Sequence, residues 1–367
     1  MHGASFILRP RHLTVLAICL VVGCMPEPPG APPAAAKVER LLIVSIDGLR
    51  PDVALRANMP NMRALMRRGT FTFWATTTET AVTLPSHVSM LTGVTPERHR
   101  IWWDIDPGPD DQQRPAFPTL LELARNNGLT AGMAVGKPKL GVLAGGKPLS
   151  WSFVPELYAN DDQVAREAAR IIADHRPQVM FVHLPDTDAA GHGSGWGSPE
   201  QIKTVENADR CLGVVLGALN TAGLLRTTVV IVTADHGGMG HSHYGNDPRS
   251  RHIPWIIAGP GIRQNLDLAS IYSVRVRTED TFATACAVLG LPLDRNIDGR
   301  PVTAAMVNPP AGLQPEWQVP AWDQPAPDPD PPQPDMQNPL EPQTPEPPEP
   351  DVQNPPEHDA ARAGGRN

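Results

Sequence analysis

Short runs of apolar, often β-branched residues alternate along the chain with longer stretches whose apolar residues recur every three or four positions. The short runs are RLLIVSI (40–46), TAGMAV (130–135), QVMFVHL (178–184), TTVVIVTA (227–234) and IPWIIAG (253–259). The longer, helical stretches are 59–69, 118–128, 161–175, 199–223 and 278–290. Continuous apolar strands separated by helices predict an α/β fold, in which a mostly parallel central sheet is covered by helices on both faces.

The start of the chain has the pattern of a targeting segment. Arg9 and Arg11 precede LTVLAICLVVG, an apolar stretch that is too short to span a bilayer permanently. The segment V-V-G-C resembles a bacterial lipobox, so we expect residues 1–23 to be a lipoprotein signal peptide and Cys24 to carry the lipid. Residues 24–38 would form a Pro/Ala-rich tether to a cell-envelope membrane, with the protein facing the periplasm or the exterior. An ordinary secretory signal or a short anchor is the alternative.

The end of the chain differs in composition from the α/β region. Residues 309–367 are acidic and rich in proline, which predicts a disordered tail after a single folded domain at 39–308. The chain has 31 Lys and Arg against 39 Asp and Glu, a balance that argues against a nucleic-acid partner. Within the predicted domain, Cys211 and Cys286 lie in apolar helical stretches, and the sequence leaves open whether they pair.

Acidic residues and histidines follow three of the predicted strands. They are Asp47 after the first strand, Asp188 and His192 after the third, and Asp235, His236, His241 and His243 after the fourth. Ligands bind at the carboxyl ends of parallel strands, so these side chains are candidates for one site. Each alone is explained by turn chemistry, but the three together predict a metal site. Mixed imidazole and carboxylate ligands suit Zn²⁺, and less specifically Mn²⁺ or Fe.

The spacing within these segments decides which side chains converge. Asp188 and His192 are four residues apart and share a face if Asp188 opens a helical turn. Asp235 and His236 are adjacent, which would send them to opposite faces of a straight strand. The following Gly237-Gly238 lets the backbone turn, so that both side chains can face one ion.

Thr83 is the candidate nucleophile. It lies just before a predicted helix whose first turn contains Pro85, and a helix N-terminus suits an incoming phosphate. A hydroxyl bound to a divalent metal can ionise near neutral pH. A simple N-cap is the alternative role for Thr83. Lys137 and Lys139 follow the strand at 130–135 and could neutralise phosphate oxygens, which would favour a monoester; a solvated lysine pair is the alternative.

Five stretches of the chain resemble the alkaline phosphatase superfamily, and within it the type I phosphodiesterase/nucleotide pyrophosphatase family. They are IDGLRPD (46–52), TLPSHVSMLTGVTPERH (83–99), DTDAAGHGSGWGSP (186–199), ADHGGMGHSH (234–243) and IPWIIAGPGI (253–262). The resemblance spans about residues 39–306 and implies two zinc ions. One ion would be held by Asp188, His192 and His243, and the other by Asp47, Asp235 and His236, with Thr83 bound to the second ion. His241 and His252 are alternatives to His243.

The resemblance also implies a reaction. Thr83 would attack phosphorus to form a phospho-threonine, or a nucleotidyl-threonine from a diester, which water would then hydrolyse. The expected substrate is a small phosphate ester. One position departs from the family: Asp104 stands where the family has an Asn that donates to a phosphate oxygen, and an ionised Asp104 would repel the substrate.

Two rival interpretations remain open at the level of sequence. One is a non-catalytic, metal-binding surface lipoprotein, which the Asp104 substitution favours. The other is a sulfatase-like hydrolase of the same superfamily. The sulfatase nucleophile is a Cys within C-x-P-x-R, and the corresponding segment TLPSH (83–87) has Thr83 at the first position and no Arg.

Overall fold

The computed structural model describes residues 37–105, 114–147 and 149–313. All described elements belong to one unit of the chain, Met1–Val319. The predicted signal peptide, the predicted lipidation site Cys24, most of the predicted tether and the tail from residue 314 lie outside the described residues. In the part of the chain that is described, no helix is long and apolar enough to cross a membrane.

Eight strands form one sheet. They are β1 (Arg40–Ile46), β2 (Gly69–Thr76), β3 (Ala131–Val135), β4 (Trp151–Phe153), β5 (Val179–Leu184), β6 (Thr228–Thr233), β7 (His252–Ala258) and β8 (Leu266–Asp267). Their order across the sheet is β4-β3-β5-β1-β6-β7-β2-β8, and all neighbouring pairs are parallel except the two that involve β7. The predicted α/β fold with a mostly parallel sheet is therefore confirmed.

Ten α-helices lie between or after these strands in the described residues. They are α1 (Pro51–Arg56), α2 (Pro60–Arg67), α3 (Thr83–Thr92), α4 (Pro96–His99), α5 (Leu120–Asn126), α6 (Asp161–His175), α7 (Asp186–Ser194), α8 (Pro199–Thr221), α9 (Pro248–Arg251) and α10 (Asp280–Leu289). Each of the five helical stretches that the sequence predicted contains one of them. Caps set several of the starts: Asn160 and Gln163 form a reciprocal capping box at α6, and the Ser198 side chain caps α8.

The middle of the sheet is a continuous apolar layer. Every residue of β5 and of β6 is buried, as is every residue of β1 after Arg40. This burial explains why these strands read as unbroken apolar runs rather than as alternating ones. Because β1 lies between β5 and β6, the residues that follow these three strands emerge side by side at one edge of the sheet.

The direction of β7 follows from the loop that precedes it. The backbone N–H groups of Gly237 and Gly238 donate to the carbonyl oxygens of Ser250 and Arg249, so the two ends of the 234–251 loop lie together. β7 therefore starts at the edge where β6 ends, and it must run back antiparallel to β6. The sequence pattern did not predict this reversal, and it also did not predict β2, β4 or β8.

Candidate metal and nucleophile site

The structure brings together all the residues that the resemblance proposed as metal ligands. They are Asp47, Thr83, Asp188, His192, Asp235, His236 and His243. Asp47 directly follows β1, Asp188 and His192 lie on α7, and the last three lie in the loop after β6. Asp188 is in the first turn of α7, as the spacing of Asp188 and His192 required.

Two groups of side chains have the spacing of a metal site, and they share Asp188. In the first group, Asp188 Oδ1 lies 3.4 Å from His192 Nε2 and 3.9 Å from His243 Nε2. In the second, His236 Nε2 lies 3.4 Å from Asp47 Oδ1 and 4.0 Å from Asp188 Oδ1. Asp235 Oδ2 also lies 3.3 Å from His236 Nε2. The assignment of each carboxylate to one ion stays a prediction.

His241 and His252 are the alternatives to His243 that the sequence leaves open. His241 is exposed, and its ring donates Nδ1–H to the backbone oxygen of His192. His252 lies at the start of β7, where its ring packs edge-on against Trp74. His243 is the one of these three that joins a metal-binding group within the described residues.

The carboxylate oxygens that face the centre have no other partner. Asp47 Oδ1, Asp188 Oδ1 and Asp235 Oδ2 are buried and make no hydrogen bond within the described residues. The opposite oxygens are all occupied, by Lys137 at Asp47 and Asp188 and by the Gly48 N–H at Asp235. Leaving a buried carboxylate oxygen without a partner costs on the order of 1–3 kcal/mol or more. A divalent cation would satisfy all three oxygens, so the residues fit the implied metal.

The ring orientation of the histidines leads to the same conclusion. His192, His236 and His243 each direct Nδ1 at a backbone carbonyl, which can only accept, so Nδ1 carries the proton. These bonds join His192 to His241 at 2.9 Å, His236 to Gly237 at 2.9 Å and His243 to Ala81 at 2.7 Å. In the neutral tautomer that these bonds favour, each Nε2 presents a lone pair toward the carboxylates, which is the tautomer that metal-binding histidines use.

The electrostatics of the cluster favour a bound cation. Burial alone would raise the pKa of the Asp47 carboxyl, but Lys137 and His183 outweigh burial and hold that pKa well below its usual range. Burial raises the pKa of Asp235 well above its usual value, and the charge on Asp47 adds to the rise. Burial also lowers the pKa of His243 to about 4. Lys137 thus pairs with Asp47 and Asp188, whereas Asp235 has no cationic partner and would be stabilised in its charged form by a divalent ion.

Thr83 lies at the edge of this cluster. It is the first residue of α3, whereas the sequence placed it just before the helix. Its side chain is buried, and its Oγ1 lies 3.3 Å from His236 Nε2. The Ser86 hydroxyl donates to the backbone oxygen of Asp235 at 2.7 Å, which holds the start of α3 against the loop after β6. The hydroxyl of Thr83 is therefore fixed beside the candidate ligands at a helix N-terminus.

The three proposed substrate contacts lie against groups of the protein itself. Lys137 Nζ is 2.7 Å from Asp47 Oδ2 and 2.6 Å from Asp188 Oδ2, and these two carboxylates raise its pKa despite burial. Lys139 Nζ is 2.7 Å from Asp104 Oδ1. Neither lysine is a solvated side chain. The roles of Lys137, Lys139 and Asp104 in substrate binding stay predictions.

His183 is a buried residue at the site that the sequence analysis treated only as part of a strand. Its Nδ1 accepts the Gly136 N–H at 3.3 Å, so Nε2 carries the proton and donates to Asp47 Oδ2 at 2.8 Å. Burial lowers the pKa of His183, although Asp47 opposes this effect, and the ring stays neutral. A histidine inside a fully buried strand was the signal, because such a ring needs hydrogen-bond partners.

Trp196 also escaped the sequence analysis. Its indole Nε1–H donates to the Gly48 carbonyl at 2.9 Å, next to Asp47. A Cβ on Gly191 or Gly238 would lie 2.6 Å or 2.2 Å from the indole ring, so both positions require glycine. The ring also meets His192 edge-on, with centroids 5.1 Å apart. Trp196 thereby packs the end of β1, helix α7 and the loop after β6 against one another.

The chain matches a family model over most of the described sheet. This family model is described as type I phosphodiesterase/nucleotide pyrophosphatase, and it matches residues 41–250, more than half of the chain.

The two cysteines whose pairing the sequence left open do not pair: Cys211 and Cys286 lie within the described fold as free, buried thiols.

Curated relatives match over shorter regions. An uncharacterized pyrophosphatase/phosphodiesterase of Schizosaccharomyces pombe is 23% identical over 222 residues, which cover 54% of this chain and 44% of that protein. Ectonucleotide pyrophosphatase/phosphodiesterase family member 1 of Mus musculus is 26% identical over 56% of this chain and 24% of its own length. Arylsulfatase K of Bos taurus is 36% identical over 96 residues, covering 25% of this chain and 17% of that protein. The chain thus spans less than half the length of these relatives.

Solved structures share the fold at low sequence identity. Murine ectonucleotide pyrophosphatase/phosphodiesterase 5 in complex with AMP aligns with a TM-score of 0.61 and 16% identity, covering 71% of this chain and 97% of that structure. The human form aligns with a TM-score of 0.63 and 16% identity, over 73% of this chain and 100% of that structure. A 2-O GAG sulfatase gives 0.61 and 17% identity, over 73% and 74% of the two chains.

Proposed function

The chain belongs to the type I phosphodiesterase/nucleotide pyrophosphatase family, and from that premise we propose that it is a metal-dependent hydrolase of phosphate esters with Thr83 as the nucleophile. One observation carries the proposal. The Thr83 hydroxyl lies beside His236 at the start of α3, next to three buried carboxylate oxygens that have no partner in the described structure. A nucleophile, a candidate cation site and a helix N-terminus thus meet at one point.

We infer that the site takes two divalent cations, with zinc favoured over manganese or iron by the mixed imidazole and carboxylate ligands. Asp188, His192 and His243 would hold one ion. Asp47, Asp235, His236 and Thr83 would hold the other. Cations in these positions would lower the pKa of the Thr83 hydroxyl and offset the negative charge of a bound phosphate.

The residues of the chain then have distinct tasks in the proposed reaction. The Thr83 oxygen forms a bond to phosphorus while the bond to the ester oxygen breaks, and the departing alcohol takes up a proton. Water cleaves the resulting phospho-threonine, which releases the phosphoryl group and restores the Thr83 hydroxyl. His183 and Lys137 hold the outer oxygens of the ligand carboxylates throughout.

The similar proteins suggest a class of substrate. A structure with the same fold, murine ectonucleotide pyrophosphatase/phosphodiesterase 5, was solved in complex with AMP, and relatives in sequence are described as pyrophosphatase/phosphodiesterases. We propose small phosphate esters as the substrate class, with mono- and diesters both to be tested. The match to arylsulfatase K favours a second candidate, a sulfatase-like activity at the same site. Thr83 in place of the sulfatase Cys ranks sulfate esters below phosphate esters.

The direct test compares three aryl substrates on the zinc-loaded full chain: an aryl phosphate, its diester and an aryl sulfate. We expect turnover of a phosphate ester, and a phosphorylated Thr83 in acid-quenched protein analysed by mass spectrometry. Thr83→Ala should lower kcat by roughly 10³-fold or more, because the nucleophile is removed. Thr80→Ala, in the same loop, is the matched control and should stay near the wild-type rate.

The outcomes separate the rival functions. Faster turnover of the sulfate than of both phosphates would support the sulfatase-like candidate. No turnover of any substrate by protein that binds two ions would leave a non-catalytic metal-binding surface protein. Full activity in Thr83→Ala would show that Thr83 is not the nucleophile.

We also propose that the chain is a lipoprotein anchored at Cys24 in a cell-envelope membrane. The support is the sequence pattern of residues 1–24, which lie outside the described residues. Expression in a bacterium that processes lipoproteins, followed by detergent phase partition, tests it. Wild type should enter the detergent phase, and Cys24→Ser should stay in the aqueous phase; equal partition of the two would refute the anchor.

A further inference from the structure

The amide that follows the nucleophile is already occupied by a carboxylate. Asp104 Oδ1 accepts the backbone N–H of Leu84 at 2.9 Å, and Leu84 directly follows Thr83 in the first turn of α3. The first amides of a helix have no partner within the helix and commonly bind an anion. Here the anion is part of the protein.

Of the residues that follow Thr83 in this turn, Leu84 is the one whose N–H is bound by a side chain and not by the backbone. Pro85, the next residue, has no N–H. The Ser86 N–H is already used, because it donates to the Val82 carbonyl at 3.0 Å. An incoming oxygen that uses the Leu84 N–H must therefore displace Asp104 from it.

Lys139 keeps the Asp104 carboxylate in place. Lys139 Nζ lies 2.7 Å from Asp104 Oδ1 and donates to the Asp104 backbone oxygen at 3.4 Å. The same carboxylate oxygen thus receives one neutral and one charged donor. Both side chains are largely covered, with 14% of Lys139 and 25% of Asp104 exposed, so water weakens their attraction less than at an open surface.

We propose that Asp104 is a specificity-determining residue, a built-in anion that a ligand must displace from the Leu84 amide before its own oxygen can bind there. This inference rests on the proposed function, because it assumes that the ligand is a phosphate ester. Displacement frees Lys139 to pair with the ligand. A small free anion gains little else in exchange, so the site disfavours inorganic phosphate and selects esters whose alcohol part adds contacts.

The test measures binding of inorganic phosphate to the zinc-loaded full chain by titration calorimetry. Asp104→Asn removes the competing charge at nearly constant shape and should bind phosphate at least tenfold more tightly than wild type. Lys139→Met leaves Asp104 on the amide and removes the cation, so it should show no gain. Glu79→Gln, an exposed charge change in the loop before α3, is the control for long-range electrostatics and should change the affinity less than twofold.

Three outcomes decide the inference. A tenfold gain in the Asp104 variants that Lys139→Met and Glu79→Gln do not share supports it. Equal affinity in wild type and Asp104→Asn, or an equal gain in Glu79→Gln, would overturn it. Asp104→Ala, measured in parallel, should show the same gain and guards against a folding defect in one variant. Because phosphate binding needs no turnover, the two failures are distinguishable: absence of ester hydrolysis counts against the proposed function, and absence of a gain in Asp104→Asn counts against this inference.

Discussion

His183 fixes Asp47 by donating Nε2–H to its Oδ2 atom across 2.8 Å. The bond joins two central strands of the sheet, because His183 pairs in register with Ser45, two residues before Asp47. It also decides which oxygen of Asp47 is left over: Oδ1, the atom without a partner among the described residues, faces the histidine cluster. A neutral ring buried beneath the site thus orients a charged ligand above it.

His183→Ala should weaken zinc binding. Loss of an outer partner of a ligand typically costs about 10–100-fold in metal affinity. His183→Gln should restore much of the affinity, because its side-chain amide can donate where Nε2–H did. Competition with a chromogenic chelator measures both variants. His175→Ala changes an exposed histidine at the end of α6 and serves as the control; a loss in this control equal to that in His183→Ala would contradict the role.

Replacement of His243 should lower the metal content, whereas replacement of His241 should leave it unchanged. His243 Nε2 points at Asp188, whereas the His241 ring is exposed and its backbone carbonyl, which orients His192, survives substitution. Elemental analysis of protein purified with zinc should show one ion fewer per chain in His243→Ala and the wild-type content in His241→Ala. The reverse pattern would move the ligand role to His241.

Two glycines on α7 provide a matched pair for stability. A Cβ on Gly191 would lie 2.6 Å from the Trp196 ring, while a Cβ on Gly193 meets nothing within 4 Å. Gly191→Ala should destabilise the fold by about 1–3 kcal/mol through overpacking. Gly193→Ala should stabilise it by about 0.5–1 kcal/mol, because alanine loses less entropy in a helix. Urea unfolding measures both; destabilisation of similar size at the two positions would argue against the Trp196 contact.

The stability of the fold should fall in mild acid, in part because of His99. Burial lowers the pKa of His99 to about 4, below its ordinary value of 6.5, and its Nδ1 accepts the Ile101 N–H. The unfolded chain therefore binds the proton first, and the contribution is complete above about pH 6.5 and lost as the pH falls toward 4. The shift corresponds to about 3 kcal/mol.

His99→Gln removes this titration and should flatten the curve. Urea unfolding of wild type and His99→Gln at pH 7.5, 5.5 and 4.5 measures the effect. The free-energy difference between the two proteins should shrink steadily as the pH falls. A constant difference across this range would show that His99 does not titrate in this way.

The sequence predicted the central strands because burial on both faces leaves an unbroken apolar run. It did not predict β2, GTFTFWAT, because this strand alternates polar threonines with aromatic residues and lies near the edge of the sheet. The hydrophobic pattern also did not predict that β7 runs antiparallel to β6. This reversal depends on contacts between Gly237, Gly238 and the residues just before β7, which are set by tertiary structure.

The candidate ligands could be identified from the sequence because they follow the ends of predicted strands, and the structure does place them together. The residues that contact those ligands could not be identified from the sequence. His183 contacts Asp47 through strand register, and Trp196 contacts Gly48 from 148 residues away. The sequence predicts Lys137 as a substrate contact, which stays a prediction, but it does not predict that Lys137 contacts Asp47 and Asp188. Such pairings depend on which strands become neighbours, and no local pattern encodes that order.

Lys137 compensates the charge of this cluster from within the chain. Its ammonium group lies between Asp47 and Asp188, so two buried carboxylates already have a cationic partner. The strand ends that carry them can therefore come together without a bound ion. We expect the sheet to close around this internal cation first, so that any loading of metal at the inner oxygens would follow folding.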